Sequence, residues 1–160
     1  MKLVFTLVAA SVLSTLTMDI ASGFLRSTGV TAGVPAGLTG KWIESSIRGT
    51  VFLDDIRTSP GEPIPVQRFL FYHYIIGTLL TCTLYEVATM LKGGSVPWWL
   101  PMAYGLTTTV LPLFLMFPAM GFGLLGSKGP PEYLLLRTAI LNHLGFGFGL
   151  TISFRWILKL

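Results

Sequence analysis

Three residues could do proton or metal chemistry where lipid ought to lie. Asp19, His73 and His143 each interrupt an otherwise apolar run, and ionisable side chains in such runs are rare and costly. Asp19 comes seven residues before Arg26, His73 five after Arg68, and His143 six after Arg137. On helices these spacings put each group roughly 8–10 Å from its own basic anchor. The three groups therefore share one membrane leaflet, on three different helices. Four chemistries fit that placement. The histidines could be satisfied by neighbouring hydroxyls and carbonyls as part of packing. They could form a proton- or substrate-handling centre with Asp19 as partner. Imidazoles from two helices at one depth could hold haem, and two histidines with one carboxylate could hold a metal ion. Spacing alone does not separate them.

Four apolar runs must position these groups. The first, residues 3–25, is broken only by Asp19; the second, 69–91, only by His73 and Glu86. The third is residues 98–125, and the fourth is 134–158 with Arg137 in its first turn. Each is long enough to cross the ~30 Å hydrocarbon layer as a helix. No run alternates like a barrel strand, and open sheet edges do not lie in lipid. The expectation is an all-α fold, a four-transmembrane-helix bundle forming a single integral membrane domain over residues 1–160. A long first loop, 26–68, should contain a short interfacial helix. A cleaved signal peptide competes for the first run, with Lys2 ahead of it and Ala21-Ser22-Gly23 as a loose cleavage site.

Composition narrows the class further. Of 160 residues, 52% are hydrophobic and 11% charged, against roughly 25% charged in a soluble domain. That excludes a disordered chain, a disulfide-stapled domain and an ordinary soluble enzyme. The one cysteine, Cys82, can form no internal disulfide. Net charge is +4, but the cations are scattered at the ends of apolar runs, so they read as interface charges and not as a nucleic-acid surface. Arg26, Lys41, Arg48, Arg57, Arg68, Lys128 and Arg137 fall on the side of the long loop. Lys2, Lys92, Arg155 and Lys159 fall on the other. The bias favours a cytoplasmic loop with both termini outside.

Within the elements, several smaller patterns matter. In the long loop, residues 39–48 should form a surface helix with Trp42, Ile43 and Ile47 on one face and Lys41, Glu44 and Arg48 on the other, stopped by Gly49. Ser11, Thr15, Asp19, Ser22 and Arg26 make one stripe that should point into the bundle. Pro112 and Pro118 fall inside the third span, and Pro118-Ala-Met-Gly121 is a candidate helix break of the kind that lines sites in transporters. Gly77, Gly145, Gly147 and Gly149 are candidate helix-packing positions. His73 with Gly77 and His143 with Gly147 share the spacing His-x-x-x-Gly, which hints at a repeat of helices 1–2 in helices 3–4. Glu86 and Arg155 approach the other face, either as a pair or snorkelling separately. Gly121-Phe-Gly-Leu-Leu-Gly126 matches a dinucleotide fingerprint in letters only, because no strand precedes it.

Taken together, several short pieces resemble a family of small bacterial inner-membrane proteins catalogued as a domain of unknown function, number twenty-nine thirty-eight. The pieces are Thr17-Met-Asp19, Gly40-Lys-Trp42, Asp55-Ile56 and His73-Tyr74 with Gly77. Pro112, Met116-Phe-Pro-Ala-Met-Gly121, His143 and Gly145-Phe-Gly147 follow in order. This sequence departs from the family in having Lys41 in place of Arg and Phe117 in place of Gln; the second change removes a polar group beside the break. The resemblance implies a four-helix bacterial membrane protein and supplies no activity.

The leading functional expectation is a small transport or proton-coupled protein of the bacterial inner membrane. Asp19, His73 and His143 would be its polar centre, shaped by Pro118 and Gly121. The alternatives are a non-catalytic scaffold or assembly partner acting through the Trp42 helix and Lys41, and a haem- or metal-binding redox protein using both histidines. No resident cofactor is required by the leading reading. The expected partners are the lipid bilayer and a second copy or another membrane protein.

Overall fold

The computed structural model describes residues 1–90 and 96–158; Lys92 and Lys159, used above in the charge balance, lie outside the described residues. Among the described residues every regular element is helical. Helix α1 spans Lys2–Ser27, α2 Ala36–Ile47, α3 Val66–Met90 and α4 Leu100–Thr107. A π-helical stretch, Leu111–Met116, and one last turn, α5 Phe117–Ala119, continue from α4. Short 3-10 turns at Leu124–Gly126 and Pro131–Tyr133 then lead to α6, Leu135–Trp156.

Three stretches are long and apolar enough to cross a membrane: Lys2–Ser27, Leu100–Ala119 and Pro131–Trp156. Helix α3 is long enough at 25 residues but is not among these stretches; it carries His73, Glu86, three tyrosines and four threonines. The third span is shorter than the expected 98–125. Pro112 has no N–H to give, and the ladder there widens to a π turn. The helix then stops at Ala119, and Gly121 takes a left-handed φ of 85°. A side chain at Gly121 would run into the backbone of Asp54 and Asp55, so only glycine allows the loop this close.

Packing is antiparallel between chain neighbours. Helix α1 runs along α6, with Gly145 against Met18 and Ala21, and Gly149 against Ser14 and Thr17. It also runs along α3, with Gly77 against Thr15. Helix α4 lies on α6 through the Gly105–Gly147 approach and reaches α3 through Tyr104, whose hydroxyl donates to Leu80 O at 3.0 Å. Apolar clusters fill the two ends. Ile56, Leu113, Phe117, Met120, Phe122, Leu135 and Ala139 close the loop end. Leu84, Ala88, Val96, Phe146, Leu150 and Phe154 close the other. The outward stripe of α1, Val8, Val12, Leu16, Ile20 and Phe24, stays exposed, as expected of a helix whose solvent is lipid.

The long loop is not a free tether. Leu53 N donates to Ala119 O at 2.8 Å and Ile56 N to Met120 O at 3.0 Å, so the loop satisfies carbonyls that a terminating helix leaves open. Trp42 Nε1 donates to Val51 O at 2.9 Å. The surface-helix expectation needs correcting at one position, because Lys41 is buried, at 5% exposure. The ammonium of Lys41 donates to Ile56 O at 3.2 Å and Ser59 O at 2.7 Å. Loop carbonyls need a donor here, and that need overrides the helix's own amphipathic pattern.

Candidate functional site

Helix α1 carries its polar stripe towards α3. Ser11 and Thr15 are each 1% exposed, and burial fades along the stripe so that Arg26 is exposed. Ser11 Oγ lies 2.9 Å from Thr78 Oγ1. Thr15 Oγ1 is buried against Gly77 and has no hydrogen-bond partner among the described residues. One turn further on, Asp19 Oδ1 lies 3.1 Å from His73 Nε2. The Asp19 and His73 side chains are 32% and 19% exposed, so the pair sits at the edge of the bundle. Phe69, four residues before His73, stacks on its ring at 5.4 Å and 17°, which fixes the imidazole plane. Tyr74 lies close to the same carboxylate.

His143 belongs to a different contact. Its Nδ1 is 2.7 Å from Thr108 Oγ1. Thr108 donates its one hydroxyl hydrogen to Gly105 O at 2.6 Å. Asp19, His73 and His143 therefore resolve into an Asp19–His73 pair and a separate His143–Thr108 pair. Among the described residues no three His, Cys, Asp or Glu side chains converge as a metal-ligand set.

The two His-x-x-x-Gly segments have matching surroundings. His73 and Gly77 both face α1, the helix that precedes α3 across the bundle. His143 and Gly147 both face α4, which precedes α6. Each histidine thus addresses its own hairpin partner, which is why equal depth does not bring the two onto one ligand. Pro118 and Gly121 lie at the end of the Leu100–Ala119 stretch; Gly121 packs on the Asp54 and Asp55 backbone, and Leu53 and Ile56 donate to the intervening Ala119 and Met120 carbonyls. Glu86 and Arg155 are both exposed, and neither forms an ion pair among the described residues.

Charges cluster on the loop side. Arg68 Nη1 lies 3.1 Å from Glu44 Oε1, with Tyr72 Oη at 3.3 Å from the same oxygen. The hydrogen bond from Arg68, its charge and the Tyr72 hydroxyl hold the Glu44 carboxyl below its ordinary value. Arg57 does the same for Asp55 through a bidentate contact with a closest approach of 2.6 Å. Thr108 and Phe69 are the site residues that sequence reasoning misses, whereas Thr15 lies on the stripe expected to face the bundle. Phe69 carries a readable signal, four residues ahead of a histidine on one helix face. Thr108 carries none, because hydroxyls recur along every helix.

No curated protein and no solved structure matches the chain. The family described as Protein of unknown function (DUF2938) matches residues 8–157, the span that holds both histidine pairs, the buried lysine and the loop seated on the third span; the chain belongs to that family.

Proposed function

We propose that this chain is a four-span protein of the bacterial inner membrane that couples solute movement to protons through Asp19 and His73, with α3 as the fourth span. One observation carries the reading: a carboxylate and an imidazole from two helices, 3.1 Å apart, roughly 8–10 Å inside their basic anchors. With one shared proton the pair is neutral overall. Without it the pair holds one negative charge in a low-dielectric setting, and a second proton or a small cation must compensate.

The test is proton entry into pyranine-loaded proteoliposomes driven by an imposed potassium diffusion potential. Wild-type protein should acidify the lumen faster than empty vesicles, and Asp19→Asn should abolish the excess while leaving expression and the detergent elution profile unchanged. Flux equal to that of empty vesicles, or full flux in Asp19→Asn, would overturn the proton reading. A scaffold role is the second reading, and Ile47 and Phe52 favour it, since each is 70% exposed on the loop side. That reading expects a co-purifying membrane partner that Phe52→Lys releases and Asp19→Asn retains.

A further inference from the structure

We propose that the groove at the loop-side start of α6 binds an anionic phospholipid, with its phosphate on Arg137 and an acyl chain along Leu136, Ile140 and Leu141. Three separate observations meet there. The groove is open to the surface, has a volume of about 780 Å³, and is lined by the 125–131 turn on one side and by the first two turns of α6 on the other. Its walls are mainly leucine, isoleucine and proline, with Arg137 as the one cation among the lining residues.

The second observation is the state of the cations on this side. Arg26 is engaged with Ala32 O, Lys41 with Ile56 O and Ser59 O, Arg48 and Arg68 with Glu44, and Arg57 with Asp55. The side chains of Lys128 and Arg137 are both exposed and neither makes a hydrogen bond or ion pair to protein among the described residues; of the two, Arg137 lines the groove. A guanidinium at this depth, above an apolar wall, matches a phosphodiester above its acyl chains.

The third is backbone conformation. Leu125 at φ 57° and Leu134 at φ 47° are the non-glycine residues with left-handed φ among the described residues, and both line this groove. A leucine is rarely held there, because its Cβ crowds the following carbonyl oxygen. Such strain persists where surrounding structure fixes a shape, and here the shape fixed is the pair of lips around the groove.

The test uses the full-length protein in neutral detergent, titrated with phosphatidylglycerol and, separately, phosphatidylcholine of the same acyl chains. Retained lipid is counted by native mass spectrometry. Phosphatidylglycerol should be retained about fivefold more tightly than phosphatidylcholine, and Arg137→Gln should erase the preference. Arg68→Gln removes a cation from the same side that is already committed to Glu44, and should leave the preference intact. Leu141→Trp fills the groove and should weaken both lipids. The proposal fails if the preference survives Arg137→Gln, or if Arg68→Gln removes as much of it, because general surface charge then explains the binding. It also fails if Leu141→Trp leaves retention unchanged. Inorganic phosphate that displaces phosphatidylglycerol at equal concentration would reassign the site to a free anion.

Discussion

Two glycines four residues apart on α6 should respond in opposite ways to one added methyl group. A Cβ at Gly149 would lie 2.7 Å from Ser14 Cα and 2.8 Å from Ser14 O. These are backbone atoms, and ordinary contact for carbon is about 3.5–4.0 Å. The α1 and α6 backbones would have to part by roughly 1 Å. Ser14 Oγ and Ser153 Oγ, 3.0 Å apart beside it, would be pulled beyond hydrogen-bond range. Overpacking of this kind costs about 1–3 kcal/mol, to which the lost hydrogen bond adds about 1 kcal/mol. Alanine's helix preference over glycine returns about 1 kcal/mol. The net for Gly149→Ala is a loss of about 1–3 kcal/mol. At Gly145 the added carbon meets Ala21 Cβ at 3.3 Å and Met18 Cα at 3.4 Å, a squeeze of a few tenths of an ångström. There the propensity gain wins, and Gly145→Ala should be neutral or slightly stabilising. The assay is unfolding in detergent by SDS titration followed by tryptophan fluorescence. Equal midpoints for the two variants, or a neutral Gly149→Ala, would refute a close α1–α6 seam centred on Ser14.

Replacing Lys41 by Met should leave Ser59 O without its donor and Ile56 O with only Ser59 Oγ, costing about 1–3 kcal/mol; limited proteolysis should then cut within residues 51–60 well before the helices. Glu44 should make the docking of α2 acid-sensitive. Its carboxyl sits below the ordinary value because of Arg68. The unfolded group titrates near pH ~4.3, so its contribution is complete above that pH and is lost as pH falls through the lower, folded value. Hydrogen exchange of residues 36–47 should stay flat from pH 7 to about pH 5, corrected for intrinsic rates, and rise only below about pH 4. A rise between pH 8 and 6 would point to another group.

What a sequence says about a membrane helix is mostly depth. Arg26 and Arg68 placed Asp19 and His73 at one level, and the structure joins them. The same reasoning placed His143 at that level, yet it turns to Thr108. Depth follows from residue counting, but the direction a side chain faces depends on which neighbour its helix meets, and no spacing in the chain encodes that. The helical extents were legible because uncharged runs have few alternatives in lipid. The third span was overextended by counting apolar letters through Phe122 and Leu125, although Gly121 marked the turn. Lys41 was misplaced for a related reason. An isolated amphipathic pattern puts a lysine outward, and only the loop carbonyls at Ile56 and Ser59 reverse it.

The seating of the long loop on the third span has a consequence for the order in which the molecule is made. Leu53 and Ile56 leave the ribosome more than sixty residues before Ala119 and Met120, whose carbonyls they satisfy. For that interval their amide groups are without these partners. The third span cannot finish its last turn against protein until it meets them. The early half of the chain thus acts as a mould for the later half, and such long-range closure is slow compared with helix formation. Interruptions of synthesis between residues 56 and 119 should strand a hairpin with an open loop, the form most exposed to proteases and to wrong partners.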